Sequence, residues 1–179
     1  RMAIQPGASV LVAGAGPIGL MHLKLARRLG CGPIIVSDPS ESRRAHAVEA
    51  GADCVVDPRD ADLASTVREL TGGHGAEFAI MAVSAPGIVG DLLACLQKGG
   101  VLSLFAGSEA AAVDANGIHY SELHVVGSSA SDLTDYRTAL DSIVSGEVSV
   151  SDLITHAYLL SEFPTGLANA MSGSGLKTI

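Results

Sequence analysis

The feature that most constrains this chain is a glycine-rich turn between an apolar run and a helical pattern. The run 10–13 leads into Gly14, Gly16 and Gly19, which fit the spacing Gly-x-Gly-x-x-Gly. Nineteen residues after Gly19, Asp38 closes a second apolar run, 34–36. Three glycines at this spacing, with a strand before them, a helix after them and an acid beyond, are typical of a dinucleotide-binding turn.

Each residue of this pattern has a physical role in holding a dinucleotide. Gly14 allows the strand to turn tightly, Gly16 lets the backbone approach a pyrophosphate, and Gly19 lets the helix pack against the strand. The free N–H groups and positive dipole end of the helix favour the phosphate charge. Asp38 is placed to accept both hydroxyls of an adenosine ribose. We therefore predict that these four residues bind a dinucleotide cofactor.

Short apolar runs alternate with helical patterns along most of the chain, which predicts parallel βαβ units. The predicted fold class is α/β: a Rossmann, doubly wound, six-stranded parallel sheet, with a C-terminal helix and strand tail. Its ligand crevice lies at the carboxyl ends of the strands, flanked by the first and fourth. The predicted strands are 9–13, 34–37, 54–56, 78–83, 101–105 and 123–127, and the predicted helices are 17–29, 41–50 with Ser40 as N-cap, 61–70, 86–96, 119–122 and 133–145.

The last thirty residues depart from this alternation. We predict an extended segment at 152–158, a helix at 163–171 and a final strand at 176–179 that has no evident partner within the chain. The predicted domains are therefore residues 1–150, which bind the dinucleotide, and residues 151–179, a tail.

Charge and composition exclude several classes of function. A net charge of −8 argues against a nucleic-acid or anionic membrane surface. The sequence has neither a signal-like N-terminus nor an apolar stretch of about 18 residues, which predicts a soluble cytoplasmic protein. The cysteines at 31, 54 and 95 read as buried thiols, and neither they nor the six histidines show metal-site or catalytic spacing. Arg1 as first residue suggests either a piece cut from a longer chain or a remnant of added sequence.

Four stretches together resemble the cofactor-binding half of zinc-dependent medium-chain alcohol and polyol dehydrogenases, of the sorbitol dehydrogenase type. They are the glycine turn 14–20, the block 36–53, the turn 98–100 and the segment Leu153-Ile154-Thr155-His156. The resemblance implies an NAD-dependent oxidoreductase whose tail, 151–179, packs on a catalytic domain. It also implies that the zinc ligands precede residue 1, so this chain binds cofactor without turning over a secondary alcohol or polyol.

The resemblance assigns further cofactor contacts, residue by residue. Pro17 and Ile18 belong to the glycine turn near the pyrophosphate and nicotinamide, and Arg43 takes the position of a basic side chain near the adenosine. The predicted nicotinamide pocket lies after strands four, five and six, and it comprises Val83, Leu104, Phe105, Ala106, Ser128 and Ser129. Ala130 departs from the pattern, because polyol dehydrogenases carry an Arg there, and this argues against a sorbitol-like substrate.

Charge favours NAD over NADP. A 2′-phosphate about 4 Å from the Asp38 carboxylate would be opposed by about 4 kcal/mol per unit charge at an effective dielectric constant near 20, or roughly three decades of affinity. Arg43 or Arg44 offsets part of this repulsion, so NADP is less favoured rather than excluded.

Two other functions remain open from the sequence. A free-standing module that senses NAD without catalysis would need no zinc ligands, although an unpaired apolar strand at 176–179 argues against it. An S-adenosylmethionine-dependent methyltransferase also uses a glycine turn and an acid after the second strand. For the dehydrogenase, the resemblance implies a homo-oligomer that pairs through the sheet edge at strand six.

Overall fold

The chain folds as two compact units, Arg1–Ala130 and Ser131–Ile179, in a computed structural model that describes residues 2–107, 112–173 and 175–179. All six predicted strands of the main sheet lie in the first unit. The predicted helix near 133–145 falls in the second unit, ahead of the predicted boundary at residue 150. That residues 151–179 pack on a catalytic domain stays a prediction.

The first unit is built on a six-stranded sheet in which every neighbouring pair is parallel. Its spatial order is β3-β2-β1-β4-β5-β6, so the direction of strand addition reverses beside β1. This confirms the predicted doubly wound α/β fold. The strands are β1 (Val10–Ala13), β2 (Ile34–Ser37), β3 (Cys54–Val56), β4 (Ala76–Met81), β5 (Leu96–Leu104) and β6 (His124–Gly127).

α-Helices connect these strands, and the described part of the second unit carries two more α-helices. Those of the first unit are α1 (Pro17–Arg28), α2 (Glu41–Glu49), α3 (Leu63–Leu70), α4 (Ile88–Cys95) and α5 (Ala115–Tyr120), and those of the second are α6 (Leu133–Val144) and α7 (Phe163–Ser172).

The central strands are buried on both faces because helices cover the two sides of the sheet. Every residue of β1 and β2 is buried, as expected for apolar runs without alternation. One core cluster joins Leu11 and Ile35 of these strands to Leu102 of β5 and Val67 of α3.

Several boundaries differ from prediction for local reasons. The sequence placed the starts of β4 and β5 at residues 78 and 101, but both strands begin earlier because Ala76 pairs with Leu96 across an irregular register. Gly75 makes this possible: its φ is +98°, and a Cβ there would lie 2.8 Å from the Cys95 carbonyl oxygen. Helix α3 begins later than residue 61, because the Asp62 carboxylate accepts hydrogen bonds from the N–H groups at its start.

Two smaller expectations also need correction. Ser40 occupies the N-cap of α2, but its hydroxyl lies 3.0 Å from that of Ser42 and does not cap the helix. Cys31 and Cys95 are buried as predicted, whereas Cys54 is only half-buried. Burial raises the pKa of the Cys95 thiol to about 12, so this side chain is a neutral core residue.

The second unit contains its own small sheet, which overturns the prediction that the final strand has no partner in the chain. Strand β7 (Ile154–His156) pairs in parallel with β8 (Lys177–Thr178). The Thr155 hydroxyl reinforces the pair by accepting a hydrogen bond from the Leu176 N–H at 3.0 Å. The argument that an unpaired strand excludes a free-standing module therefore no longer holds.

Helix α1 lies against the end of β1 at a point where no side chain fits. A Cβ at Gly19 would overlap the carbonyl oxygen of Gly14, which is backbone and has no room to move. The contact therefore fixes where α1 starts relative to β1, as the Gly-x-Gly-x-x-Gly spacing predicts.

We expect Gly19→Ala to lower the free energy of unfolding by about 2 kcal/mol or more, because overpacking against backbone outweighs the helix propensity that alanine gains. Gly90→Ala is the matched control, since Gly90 also lies within a helix but a Cβ there meets nothing within 4 Å. That variant should be stabilised by up to about 1 kcal/mol. Urea unfolding followed by circular dichroism measures both, and equal effects would contradict the assignment.

Candidate functional site

The carboxyl ends of all six strands are joined by one row of backbone hydrogen bonds just beyond the sheet. These bonds run from Asp38 N–H to Val56 O, from Gly14 N–H to Ser37 O, from Ala82 N–H to Ala13 O, from Ala106 N–H to Met81 O and from Ser128 N–H to Leu104 O, with lengths of 2.7–3.2 Å. The donors include several of the predicted site residues. The row therefore brings the predicted residues after different strands to one edge of the first unit.

The three glycines of the turn differ in the space around them. Gly14 has φ +98°, and a Cβ there would lie 3.0 Å from the Cβ of Val83, so the turn packs against the chain after β4. At Gly19 the space is filled by the Gly14 carbonyl. At Gly16 a Cβ would meet nothing within 4 Å. Gly16 is thus the one of the three whose missing side chain leaves open surface for a ligand.

This open surface lies at the positive end of α1. Gly16 is the N-cap and Pro17 the first helical residue, and no acidic side chain lies in the first turn. The first N–H groups of a helix have no partner within it, so together with the helix dipole they form a site for an anion. Arg27 and Arg28 lie in the last turn, where they complement the opposite end of the dipole.

Asp38 lies beside the turn and is only 3% exposed. One carboxylate oxygen accepts a hydrogen bond from the Ala15 N–H and the other from the Ser40 N–H, each at 2.8 Å. Because each oxygen of a carboxylate offers two acceptor positions, capacity for further donors is left. The sequence analysis did not predict these two hydrogen bonds, which connect the glycine turn to the start of α2. Ribose binding by Asp38 stays a prediction.

A cluster of charged side chains, which the sequence analysis did not identify, lies beside the backbone of Asp38. Asp57, just after β3, accepts hydrogen bonds from Arg44 at 2.8 Å and from Arg59 at 2.6 and 2.9 Å. Arg44 also donates to the carbonyl of Asp38 at 2.7 Å, and Arg59 to that of Pro39 at 2.5 Å. The hydrogen bonds from Arg59, assisted by the charge of Arg44, hold the pKa of the Asp57 carboxyl well below its usual range.

Arg43, the basic residue predicted near the adenosine, lies on α2 one position before Arg44. It is half-buried, and within the described ranges its guanidinium makes neither a hydrogen bond nor an ion pair with the protein. A contact with adenosine stays a prediction.

The residues predicted for the nicotinamide pocket lie at the same edge, at or just after the carboxyl ends of β4, β5 and β6. Val83 lies two residues beyond the end of β4, Leu104 ends β5, and Phe105 and Ala106 follow it. Ser128 and Ser129 come directly after β6. Ile18 and Phe105 expose 44% and 41% of their surface, so apolar side chains here face outward beside the glycine turn. Their role in binding nicotinamide stays a prediction.

His22 contacts this edge although sequence reasoning gave it no role. Its ring lies edge-on to Phe105, with the ring centroids 4.6 Å apart and the planes at 82°. It follows Ile18 by one helical turn, which is the spacing that would have indicated a shared face. Burial lowers the pKa of His22 below its ordinary value of 6.5.

The described residues contain no group of three or more His, Cys, Asp or Glu side chains that could hold a metal ion. None of the helices in the described ranges combines the length and apolar character that crossing a bilayer requires.

Comparison with known proteins places these features in a family. The family model for zinc-binding dehydrogenases matches residues 17–145. The L-threonine 3-dehydrogenase of Pyrococcus furiosus is 34% identical over 157 residues, which cover 85% of this chain and 44% of that protein. The sorbitol dehydrogenase of Halalkalibacterium halodurans is 30% identical, with coverage of 100% and 53%. The chain thus spans about half the length of these curated relatives.

The architecture matches as well. The solved structure of an alcohol dehydrogenase from Thermus sp. ATN1 superimposes with a TM-score of 0.92 at 25% sequence identity, over 97% of this chain and 51% of that one.

The lowered pKa of His22 predicts a pH-dependent contribution to stability. Between pH 6.5 and the lower folded-state pKa, the unfolded chain binds a proton at this residue that the folded chain does not. The free energy of unfolding is therefore intact above pH 6.5 and falls on acidification, by at most about 1.4 kcal/mol per pH unit from this group. We expect His22→Leu to reduce the loss of stability between pH 7 and pH 5.

His74→Gln is the control for this experiment, because His74 is exposed in the loop before β4. Urea unfolding at the two pH values gives the comparison. An unchanged pH dependence in His22→Leu would show that the partly buried imidazole of His22 does not contribute.

Proposed function

The chain belongs to the family of zinc-binding dehydrogenases, and from this premise we propose that its first unit is the NAD(H)-binding domain of an alcohol or polyol dehydrogenase. The cofactor-binding residues we assign are those predicted from the sequence. They comprise Gly14, Gly16, Pro17, Ile18, Gly19, Asp38, Arg43, Val83, Leu104, Phe105, Ala106, Ser128 and Ser129.

The observation that carries the proposal is the contrast among the three glycines. Two of them are needed for packing within the protein, whereas the space at Gly16 is open at the N-terminus of α1. A pyrophosphate at this position would receive backbone N–H groups and the positive end of the helix dipole. The fit between the residues present and a dinucleotide therefore rests on the shape of the turn and not on the sequence pattern alone.

We assign NAD rather than NADP because of the charge of Asp38. The carboxylate is nearly buried, so solvent screens it poorly, and it would repel a 2′-phosphate. The two backbone hydrogen bonds to its oxygens keep it in place beside the turn.

For the whole enzyme we propose oxidation of a secondary alcohol or polyol. The bound nicotinamide would accept the hydride. The described part of this chain offers no cluster for a metal, so we assign the zinc ligands and the alcohol-binding residues to the half of the relatives' length that this chain does not span. On this proposal the chain alone binds cofactor but is inactive.

Exposed apolar side chains support the proposal that the tail, residues 151–179, packs on another domain. Helix α7 exposes Phe163, Leu167 and Met171, which lie four residues apart and so share one face. Leu160, near the start of α7, is also exposed. Apolar surface of this kind marks an interface.

The assembly we propose is a homo-oligomer that pairs through β6. This strand lies at the end of the sheet order and exposes Val125. A free strand edge is a liability that pairing with a second copy removes.

A free-standing NAD-sensing module is the second candidate, since the pairing of β7 with β8 leaves the final strand with a partner. An S-adenosylmethionine-dependent methyltransferase is the third. Ligand binding separates the third from the other two. Oxidation of an alcohol by the whole protein separates the dehydrogenase from the sensing module.

We expect the chain to bind NADH and not S-adenosylmethionine. Because the sequence contains no tryptophan, the fluorescence of NADH itself is a clean signal, and isothermal titration calorimetry serves for S-adenosylmethionine. Gly16→Ala should weaken NADH binding by at least about tenfold, since the added methyl group occupies the phosphate approach, while stability is retained. Gly90→Ala should bind like the parent. Binding of S-adenosylmethionine without NADH would overturn the proposal.

We expect Asp38→Asn to reduce the preference for NADH over NADPH by about tenfold or more, because it removes the charge that opposes a 2′-phosphate. The ratio of the two dissociation constants is the readout. Loss of a hydrogen bond to the glycine turn weakens both ligands alike and cancels in the ratio. A ratio equal to that of the parent would refute the assignment of Asp38 as the discriminating charge.

A further inference from the structure

Two arginine side chains lie near Asp38, and both are already bound to another carboxylate. Arg44 and Arg59 both reach the backbone beside Asp38, through the carbonyls of Asp38 and Pro39. Two guanidinium groups at this point would ordinarily attract a phosphate. In this chain both are bound to the same carboxylate, that of Asp57.

Asp57 is saturated by these contacts. One of its oxygens accepts from the backbone N–H and the Nε of Arg59, and the other accepts from Arg59 Nη2 and Arg44 Nη1. Its side chain is 10% exposed and that of Arg44 is 18% exposed, whereas that of Arg59 is 65% exposed. The carboxylate thus lies beneath two cations, one of which faces solvent next to Asp38.

We propose that Asp57 is a specificity-determining residue, which favours NAD over NADP by withholding Arg44 and Arg59 from a 2′-phosphate. This inference rests on the proposed cofactor function and adds a second determinant to Asp38. Asp38 acts by repulsion of the phosphate. Asp57 acts by occupying the cations that would attract it, so it is a positioning residue without contact to the cofactor.

The energetic argument depends on competition for the same donors. A guanidinium has a fixed fork of five N–H donors, and Arg59 uses its fork on Asp57 in two parallel hydrogen bonds. The pKa of Arg59 is raised chiefly by these hydrogen bonds to Asp57 and next by the charge of Asp57, with smaller contributions from Asp60 and Asp38. A phosphate that took the Nε and Nη2 donors of Arg59 would therefore have to break a bidentate ion pair, and without them only the Nη1 group of Arg59 is left to contact it.

The test is Asp57→Asn, which keeps the size of the side chain and removes its charge. Dissociation constants for NADH and NADPH are measured by the fluorescence of the reduced nicotinamide. We expect affinity for NADPH to rise by about tenfold or more, as one freed charge-assisted hydrogen bond contributes on that order, while affinity for NADH changes by less than about threefold. Adding Arg59→Gln to this variant should reverse the gain.

Asp53→Asn is the matched control, because it makes the same change in net charge and breaks an ion pair with Arg27 at 2.7 Å, at the other end of β3. It should leave the ratio of the two affinities unchanged. An equal rise in NADPH binding in the control would assign the effect to net charge and overturn the proposal.

An unchanged ratio in Asp57→Asn, or an equal loss of both ligands, would also overturn it. Asp57→Ser, which keeps a small acceptor, repeats the test should the asparagine variant fail to fold. If neither folds, the cluster is required for stability and the proposal fails. A parent that binds no NADH contradicts the proposed function itself, which is a different result from any of these.

Discussion

The contact between Gly19 and the carbonyl of Gly14 is the constraint on which the rest of this edge depends. With no Cβ between them, α1 begins directly against the end of β1. This fixes the height of the helix N-terminus relative to the strand ends and so brings Gly16 to the surface. It also brings Ala15 within 2.8 Å of the Asp38 carboxylate, which links the glycine turn to the next βα connection. A side chain at position 19 would shift the start of α1 away from β1 and would also disturb the hydrogen bond between Ala15 and Asp38.

The sequence was sufficient for the fold where local pattern and burial agree. The runs in β1 and β2 are apolar without alternation, and such runs belong in the middle of a parallel sheet. It was insufficient where tertiary contact decides. The start of β4 at Ala76 depends on the close approach of Gly75 to Cys95, which are distant in sequence. The final strand was predicted at 176–179, but its pairing with β7 was not, because that pairing joins two short segments about twenty residues apart.

The candidate site shows the same division. Gly14, Gly16, Gly19 and Asp38 are recognisable because backbone geometry demands particular residues at fixed spacing. The cluster around Asp57 has no such spacing, since it joins a helix, a turn and the end of a strand. Charged residues on exposed connections are common, and only the folded structure shows which of them pair. The glycine spacing in the sequence therefore identifies the phosphate end of the site. The charged cluster around Asp57, which we propose discriminates between ligands, is recognisable only in the folded structure.

The row of backbone hydrogen bonds beyond the strand ends has a consequence for the kinetics of recognition. Because these connections are already fastened to one another, most of the conformational entropy of ordering them is lost during folding and not during association. Binding of a ligand then requires little rearrangement of the backbone. The association rate is therefore limited by diffusional encounter and not by a conformational change. Differences in affinity among ligands at such an edge then arise mainly from differences in their dissociation rates.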